Sequence, residues 1–398
     1  MTTVGIDDIS IYSPGFFYPL EDLAHRHGVD PAKYLYGIGQ EQMAVPSPDE
    51  DIVTMAANAV APVLTADVRE RISTVIFATE SGVDQSKSAG MFVHGVLGLN
   101  PNCRVVEFKQ ACYSATAGLQ FACDLVRHRP SEKVLVIASD IARYERNSEG
   151  ECTQGAGAVA MVIAKNPSLV EIHPQSGLFS LDVMDFWRPN HRDAAYVDGK
   201  LSIDVYLRSL RESYADFCRK DGMPLAAIEK LCFHQPFTKM SKKAFAALRE
   251  AAGAEADHLD ETSYAESQAY GRQIGNTYAA SLYIALASLL DNCAEDLGGR
   301  NIGLFSYGSG SVGEFFAATV RQGYRRRLRT RAHRALLAGR REIDYATYVA
   351  WFYNSAKSAE DRVCPEETAG RYRLAAIDAQ RRVYAAARNL ELNAAACP

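Results

Sequence analysis

The residues best suited to chemistry sit where apolar runs end. In Phe108–Val126 (FKQACYSATAGLQFACDLV) a strand-like run stops near Lys109. Ala115, Leu119, Ala122 and Val126 then recur at spacings of four, three and four, the period of a buried helical face. Cys112 is therefore expected at the entrance of a helix. Free backbone N–H groups and the positive end of the helix dipole favour a thiolate there, which predicts a thiol below its free value of about 8.5. The small neighbours Ala111, Ser114 and Ala115 leave room for a substrate. The competing explanation is a buried core thiol, since cysteine is among the most buried residue types.

A nucleophilic cysteine needs a base or a polarising group. His234 closes the apolar run LCF and opens QPFTKM, where Pro236 forces an extended or turning backbone. A polar ring at the tip of a buried strand lies where open α/β sheets place ligands; the alternative is a core histidine satisfied by a backbone carbonyl. Glu80 follows TVIFAT and precedes SGVD, a carboxyl at a strand tip whose burial would raise its pKa and make it a general base. It would otherwise be an N-cap or a solvated loop residue. Two glycine-rich stretches, TQGAGAVAMVIA (Thr153–Ala164) and FSYGSGSVGEFF (Phe305–Phe316), lack both phosphate-loop spacings, which excludes nucleotide binding. Gly308 and Gly310 are instead expected to let the backbone approach a thioester and present N–H donors to it, or else to form a tight turn.

Strand-like runs alternating with helical segments must position these residues. Thr74–Thr79, Arg104–Phe108, Val134–Ser139 and Ala158–Ala164 read as central strands covered on both faces, and Leu231–His234 and Asn301–Tyr307 as further strands with a helix between them around Ala279–Leu290. The pattern is that of an α/β fold of two halves, with a seam near Ala164–Ser168 dividing residues 1–166 from 167–398. The 398 residues, 47% apolar and 23% charged, are ordinary globular proportions. A net charge of −5 argues against a nucleic-acid partner. From Arg321 onward, however, sixteen Lys and Arg stand against eight Asp and Glu, mixed with Ala, Leu and Tyr, so a basic, helix-rich C-terminal segment is expected. No run is long enough to span a bilayer and the N-terminus lacks the pattern of a signal peptide, so a soluble, cytoplasmic protein is expected. Nine cysteines scattered from Cys103 to Cys397 without a CxxC pair suit reduced thiols rather than a metal site or a disulfide framework.

Over almost its whole length the sequence resembles the 3-hydroxy-3-methylglutaryl-CoA (HMG-CoA) synthase family of the thiolase superfamily. GIGQEQMAVPSPDEDIVTMA, FATESGVDQSKS, KQACYSATAGLQ, ASDIARY, TQGAGAVAM, VMDFWRPN, CFHQPFTKM, GNTYAASLY and FSYGSGSVGEFF carry the resemblance, in the family's order. It implies a layered αβαβα thiolase-like fold of two similar halves. By position it puts Cys112 on the acyl-accepting nucleophile, Glu80 on the general acid/base and His234 on the residue that polarises acetoacetyl-CoA. It also implies Asn276 and Ser309 near the acetoacetyl thioester, Tyr144 in the acyl pocket, and Asp140 and Asp185 as supports. The implied partners are acetyl-CoA and acetoacetyl-CoA, with no metal or further cofactor, in a homodimer. Lys239, Lys242 and Lys243, together with the basic C-terminal segment, are expected to complement CoA phosphates. Three alternatives stay open: a polyketide β-branching synthase acting on an acyl carrier protein, a ketoacyl synthase, and a catalytically silent thioester-binding protein.

Overall fold

The structure, a computed structural model, describes residues 3–354 and 360–388. Strands β1 (Val4–Tyr12), β2 (Ile72–Ala78), β3 (Arg104–Phe108), β4 (Lys133–Ala142) and β5 (Gly155–Lys165) come from the first part of the chain. Strands β6 (Val170–Ser180), β7 (Lys230–Phe233), β8 (Asn301–Gly308) and β9 (Val312–Val320) come from the second. Together they form one sheet in the order β7-β8-β9-β6-β1-β5-β4-β2-β3. Within it a pattern occurs twice. β2 runs parallel to β4, which pairs antiparallel with β5, and β5 with β1. In the same way β7 runs parallel to β8, then β9 and β6 follow antiparallel. The two sets meet at only two residue pairs, Gly5 with Glu171 and Ile6 with Val170. Gly5 is needed there because a Cβ would lie 2.1 Å from the Val170 carbonyl oxygen.

Period-two alternation separates the faces of both sets. In the second set Leu304 and Phe316 point inward, whereas Phe305 and Phe315 point outward. The inward faces enclose helices α3 (Ser114–His128) and α6 (Ser281–Asn292), whose Leu119, Val126, Ile284 and Leu286 share one core with both sets. Outside the first set lies α1 (Ile52–Val60) with α2 (Ala89–Leu97), and outside the second α4 (Gly199–Arg219) with α5 (Met240–Ala252). The result is five layers, αβαβα.

The segment after β9 departs from expectation in two ways. Although sequence order joins it to the second half, it packs on both: Thr330 and His333 bond Asp291 of α6 at 2.6 and 2.7 Å, and the rest reaches the first half. His333 accepts a hydrogen bond from the Ile11 N–H, and Tyr348 and Phe352 enter the first set's outer core. It is also only partly helical. Helix Thr330–Ala338 and a short turn at Tyr345–Val349 are followed by strands β10 (Tyr372–Asp378) and β11 (Arg381–Ala386). Ala379 and Gln380, both at positive φ, close this hairpin as a two-residue turn. Tertiary pairing overrides the alanine-rich text, because the hairpin's Arg373 and Arg382 bond the carboxylates of Asp49 and Asp51 at 3.1 and 2.9 Å. Residues 389–398, including Cys397, lie outside the described residues. Among the described residues no helix is long and apolar enough to cross a membrane, and the eight described cysteines are free thiols.

Candidate active site

Cys112 lies in the turn between β3 and α3, two residues before the helix begins. Ala111 is held at φ +44°, a left-handed conformation that a residue with a side chain adopts only when its surroundings impose it. The turn sits against the tip of β8. At Gly308 a Cβ would lie 2.5 Å from the Gln110 carbonyl oxygen and 2.7 Å from Tyr113. The close approach expected of Gly308 is thus to the cysteine turn, not to a substrate. Gly310 likewise offers no free donor, since its N–H is bonded to Asp185 at 2.9 Å.

Glu80 follows β2 and meets the cysteine directly: the Cys112 thiol donates to its Oε1 at 3.1 Å. This contact reverses the expected ionisation. Burial first, then the Glu80 charge, push the Cys112 thiol well above its ordinary range. The helix N-terminus is no remedy, because the N–H groups of Tyr113 and Ser114 are engaged by the carbonyls of Gln110 and Ala111. Burial and the Asp140 carboxylate push the Glu80 carboxyl up to about 8, with the Arg188 guanidinium pulling the other way.

Asp140, fully buried in β4, is the support of this arrangement. Its Oδ1 accepts from the Thr79 hydroxyl at 2.7 Å and from the N–H groups of Glu80 and Ser81 at 2.9 and 3.0 Å. Its Oδ2 accepts from the Ala279 N–H at 3.0 Å. One carboxylate therefore ties the Glu80 turn to the GNTY turn of the second set, where Tyr278 is also held at positive φ. Asp185 does the same on the other side, accepting from the Tyr307 hydroxyl at 2.7 Å, Ser202 at 3.2 Å and Gly310.

His234 follows β7 and is 2% exposed. Its N–H bonds the Phe305 carbonyl and its own carbonyl accepts from the Tyr206 hydroxyl, both at 2.8 Å, while its Nδ1 has no hydrogen-bond partner among the described residues. Burial pulls the imidazole down to about 3, so the ring is neutral across the physiological range. Cys112 and His234 line one cavity of about 1530 Å³, and Tyr144, Asn276 and Ser309 line it as well.

The expected lysines divide. Lys243 lines this cavity; Lys239 and Lys242 do not, and Lys242 is paired with Glu261. Part of the basic C-terminal segment is committed to partners within the protein, with Arg321 on Glu171, Arg329 on Asp8 and Arg373 on Asp49, while Arg326, Arg327 and Arg331 are exposed. Local charge density in a sequence says nothing of partners brought in from elsewhere in the chain. Sequence reading missed Lys33 and Lys200 on the cavity wall, which sit in unremarkable text, and Phe186 and Tyr307, which adjoin residues it did single out.

Five layers with a cysteine at the inner-helix entrance define a thiolase-like α/β protein. Family models described as the N-terminal and C-terminal parts of hydroxymethylglutaryl-coenzyme A synthase match residues 1–168 and residues 173–267 and 251–350. The hydroxymethylglutaryl-CoA synthase of Enterococcus faecalis is 42% identical over 96% of this chain and 99% of its own length. The polyketide biosynthesis 3-hydroxy-3-methylglutaryl-ACP synthase PksG of Bacillus subtilis (strain 168) is 35% identical over 82% of each chain. A crystal structure of an HMG-CoA synthase complexed with CoA superposes with a TM-score of 0.91 at 36% identity, covering 96% of this chain and all of the other. The chain belongs to the hydroxymethylglutaryl-CoA synthase family.

Proposed function

We propose that this chain condenses acetyl-CoA with acetoacetyl-CoA and water to give HMG-CoA and CoA, through an acetyl group carried on Cys112. The observation that carries the reading is the 3.1 Å contact between thiol and carboxyl at the edge of a cavity that also holds a neutral imidazole. The raised thiol cannot attack as a standing thiolate. Glu80 accepts its proton as sulfur adds to the acetyl-CoA carbonyl, and returns that proton to the departing CoA sulfur. Glu80 then takes a proton from the acetyl methyl, and the resulting carbon nucleophile adds to the ketone of acetoacetyl-CoA. His234, neutral and anchored by backbone at both ends, hydrogen-bonds the oxygen as it becomes an alkoxide, and Glu80 returns the methyl proton to that oxygen, which leaves its carboxylate free again. Asn276 and Ser309 bind the acetoacetyl thioester and Tyr144 walls the acyl group. Asp140 and Asp185 act as positioning residues.

Residues 1–166 supply Cys112 and Glu80 in this reading and residues 167–398 supply His234. No metal or further cofactor takes part. Free CoA is favoured over an acyl carrier protein because the 42% relative named for CoA matches nearly end to end, whereas the 35% relative named for the carrier protein matches over less of both chains. The reaction then belongs to the mevalonate route to isoprenoids, in the cytoplasm. A homodimer is supported by β3, an edge strand, beside which Phe121 is 59% exposed and stacks edge-on against Phe108. The test is a side-by-side condensation assay with acetoacetyl-CoA and acetoacetyl carrier protein, with intact mass reporting acetylation. Turnover with CoA and an acetyl adduct lost in Cys112→Ser are expected. Preference for the carrier protein would reassign the acceptor, and absence of the adduct would leave a silent binding protein.

A further inference from the structure

Glu80 borders a second cavity, of about 930 Å³, that Cys112 does not line. The two spaces differ in chemistry. The thiol's cavity is walled by aromatic side chains such as Tyr144, Phe186, Phe237 and Tyr278. The second is walled by charged and hydroxyl groups, with Thr79, Glu80 and Ser81 at its inner end and Arg143 and Arg188 beside them. Leu374 and Arg382 of the C-terminal hairpin also line it, and the exposed residues Gly82, Asp84 and Asn190 mark its mouth. Glu80 thus adjoins both spaces: its carboxyl touches the thiol, and the residue lines a polar, solvent-connected space on the other side.

The proposed reaction needs such a space. After condensation the acyl chain is tied to Cys112 at one end and to CoA at the other, so it fills the aromatic cavity when hydrolysis must occur. We propose that the polar cavity is the water site and entry route for that hydrolytic step. The inference rests on the proposed function. Water's oxygen attacks the acyl carbon, forming the C–O bond while the C–Sγ bond breaks. Glu80 takes one water proton and hands it to the departing Cys112 sulfur, restoring the thiol. The second proton leaves the product carboxyl and exits to solvent through the same cavity. The groups facing Glu80 are Cys112, Asp140, Tyr144, Tyr278 and Arg188. Of these Arg188, on the cavity side, carries the positive charge that favours the ionised base.

Filling the mouth tests the route without touching the reacting groups. Gly82 is exposed, its φ lies outside the left-handed range, and a Cβ there would lie 3.3 Å from a Glu107 carboxyl oxygen and 3.9 Å from the Asp84 carbonyl oxygen. Gly82→Leu and, from a different segment, Asn190→Trp are compared with wild type by near-UV circular dichroism, by Cys112 acetylation with acetyl-CoA alone, by turnover, and by intact mass during turnover. Both variants should acetylate normally and lose about tenfold in kcat. The covalent condensation product should replace acetyl-enzyme as the species that accumulates. Wild-type turnover in the folded variants, or accumulation of acetyl-enzyme alone, overturns the water route and leaves the proposed function intact. Failure of wild-type protein to acetylate overturns both. If Gly82→Leu does not fold, Asn190→Trp, at an exposed position, decides.

Discussion

Glu80 and His234 occupy equivalent places in the repeated topology, each just beyond the parallel strand that precedes the antiparallel pair, β2 in one set and β7 in the other. Their surroundings differ. The Glu80 tip carries a second carboxylate, a thiol and an arginine, and its carboxyl is pushed up; the His234 tip is held by backbone and aromatic rings, and burial pulls its imidazole down. Burial acts on both, and its sign follows from which protonation state is charged. A repeated scaffold thus yields a proton carrier near neutrality on one side and a permanently neutral donor on the other, which is the division of labour a condensation requires.

Removing either tip breaks the comparison outright. Glu80→Ala should acetylate Cys112 more slowly, because burial still holds the thiol high and its proton acceptor is gone, and should lose more, about a thousandfold, in condensation, measured by HMG-CoA formation. His234→Ala should acetylate normally and lose about a hundredfold in kcat/KM for acetoacetyl-CoA alone. Equal losses in the acetylation step would overturn the separation of roles.

Smaller changes sharpen it through pH. The base form of Glu80 is needed, so condensation should rise with pH up to about 8 and level off, with His234, at about 3, contributing no limb. Asp140→Asn removes a charge that raises Glu80, moving the limb to lower pH. It also sets an amide N–H against backbone donors, at about 1–3 kcal/mol of stability; kcat–pH profiles and thermal melts read the two effects. Arg188→Gln should move the limb to higher pH, because the charge that lowers Glu80 is lost. An unmoved limb in both variants would show that the limb belongs to another group. Burial and the Asp140 charge also make Glu80 a liability to folding. Its folded-state pKa lies above the unfolded value, so the stabilising contribution is complete below about 4.5 and is lost as pH rises through about 8. Glu80→Gln should therefore melt at a higher temperature than wild type near pH 9 and show little gain near pH 4.

The mildest contrast is between neighbouring lysines. Lys243→Glu, on the cavity wall, should raise KM for acetoacetyl-CoA by about fivefold, an effect weakened by added salt, whereas Lys242→Glu should leave it unchanged. Equal effects would mean that the whole surface, not the cavity wall, attracts the substrate.

Much of the frame was legible from the chain. Arg104–Phe108 forms a strand with the expected bounds but at the sheet's edge and only part-buried, not centrally as expected, whereas the runs around Val75, Val136 and Val159 form inner strands, because continuous apolar text of that length is stable only when both faces are covered. Cys112, Glu80 and His234 stood out because a polar group closing a buried strand is locally anomalous. The C-terminal hairpin did not stand out. Its alanines and arginines suit a helix until Asp49 and Asp51, more than three hundred residues away, pair with one face of it.

Residue types and their local periodicity thus settled the elements, the reactive groups and the family likeness, since these depend on near neighbours along the backbone. Folding in space decided the rest: that the thiol is raised rather than lowered, that Gly308 admits the cysteine turn rather than a ligand, that one lysine of three reaches the cavity, and that Glu80 faces two different spaces. Desolvation and Coulomb interactions act through distance, not along the chain, so their signs exist only once remote segments have been brought within a few ångströms of one another.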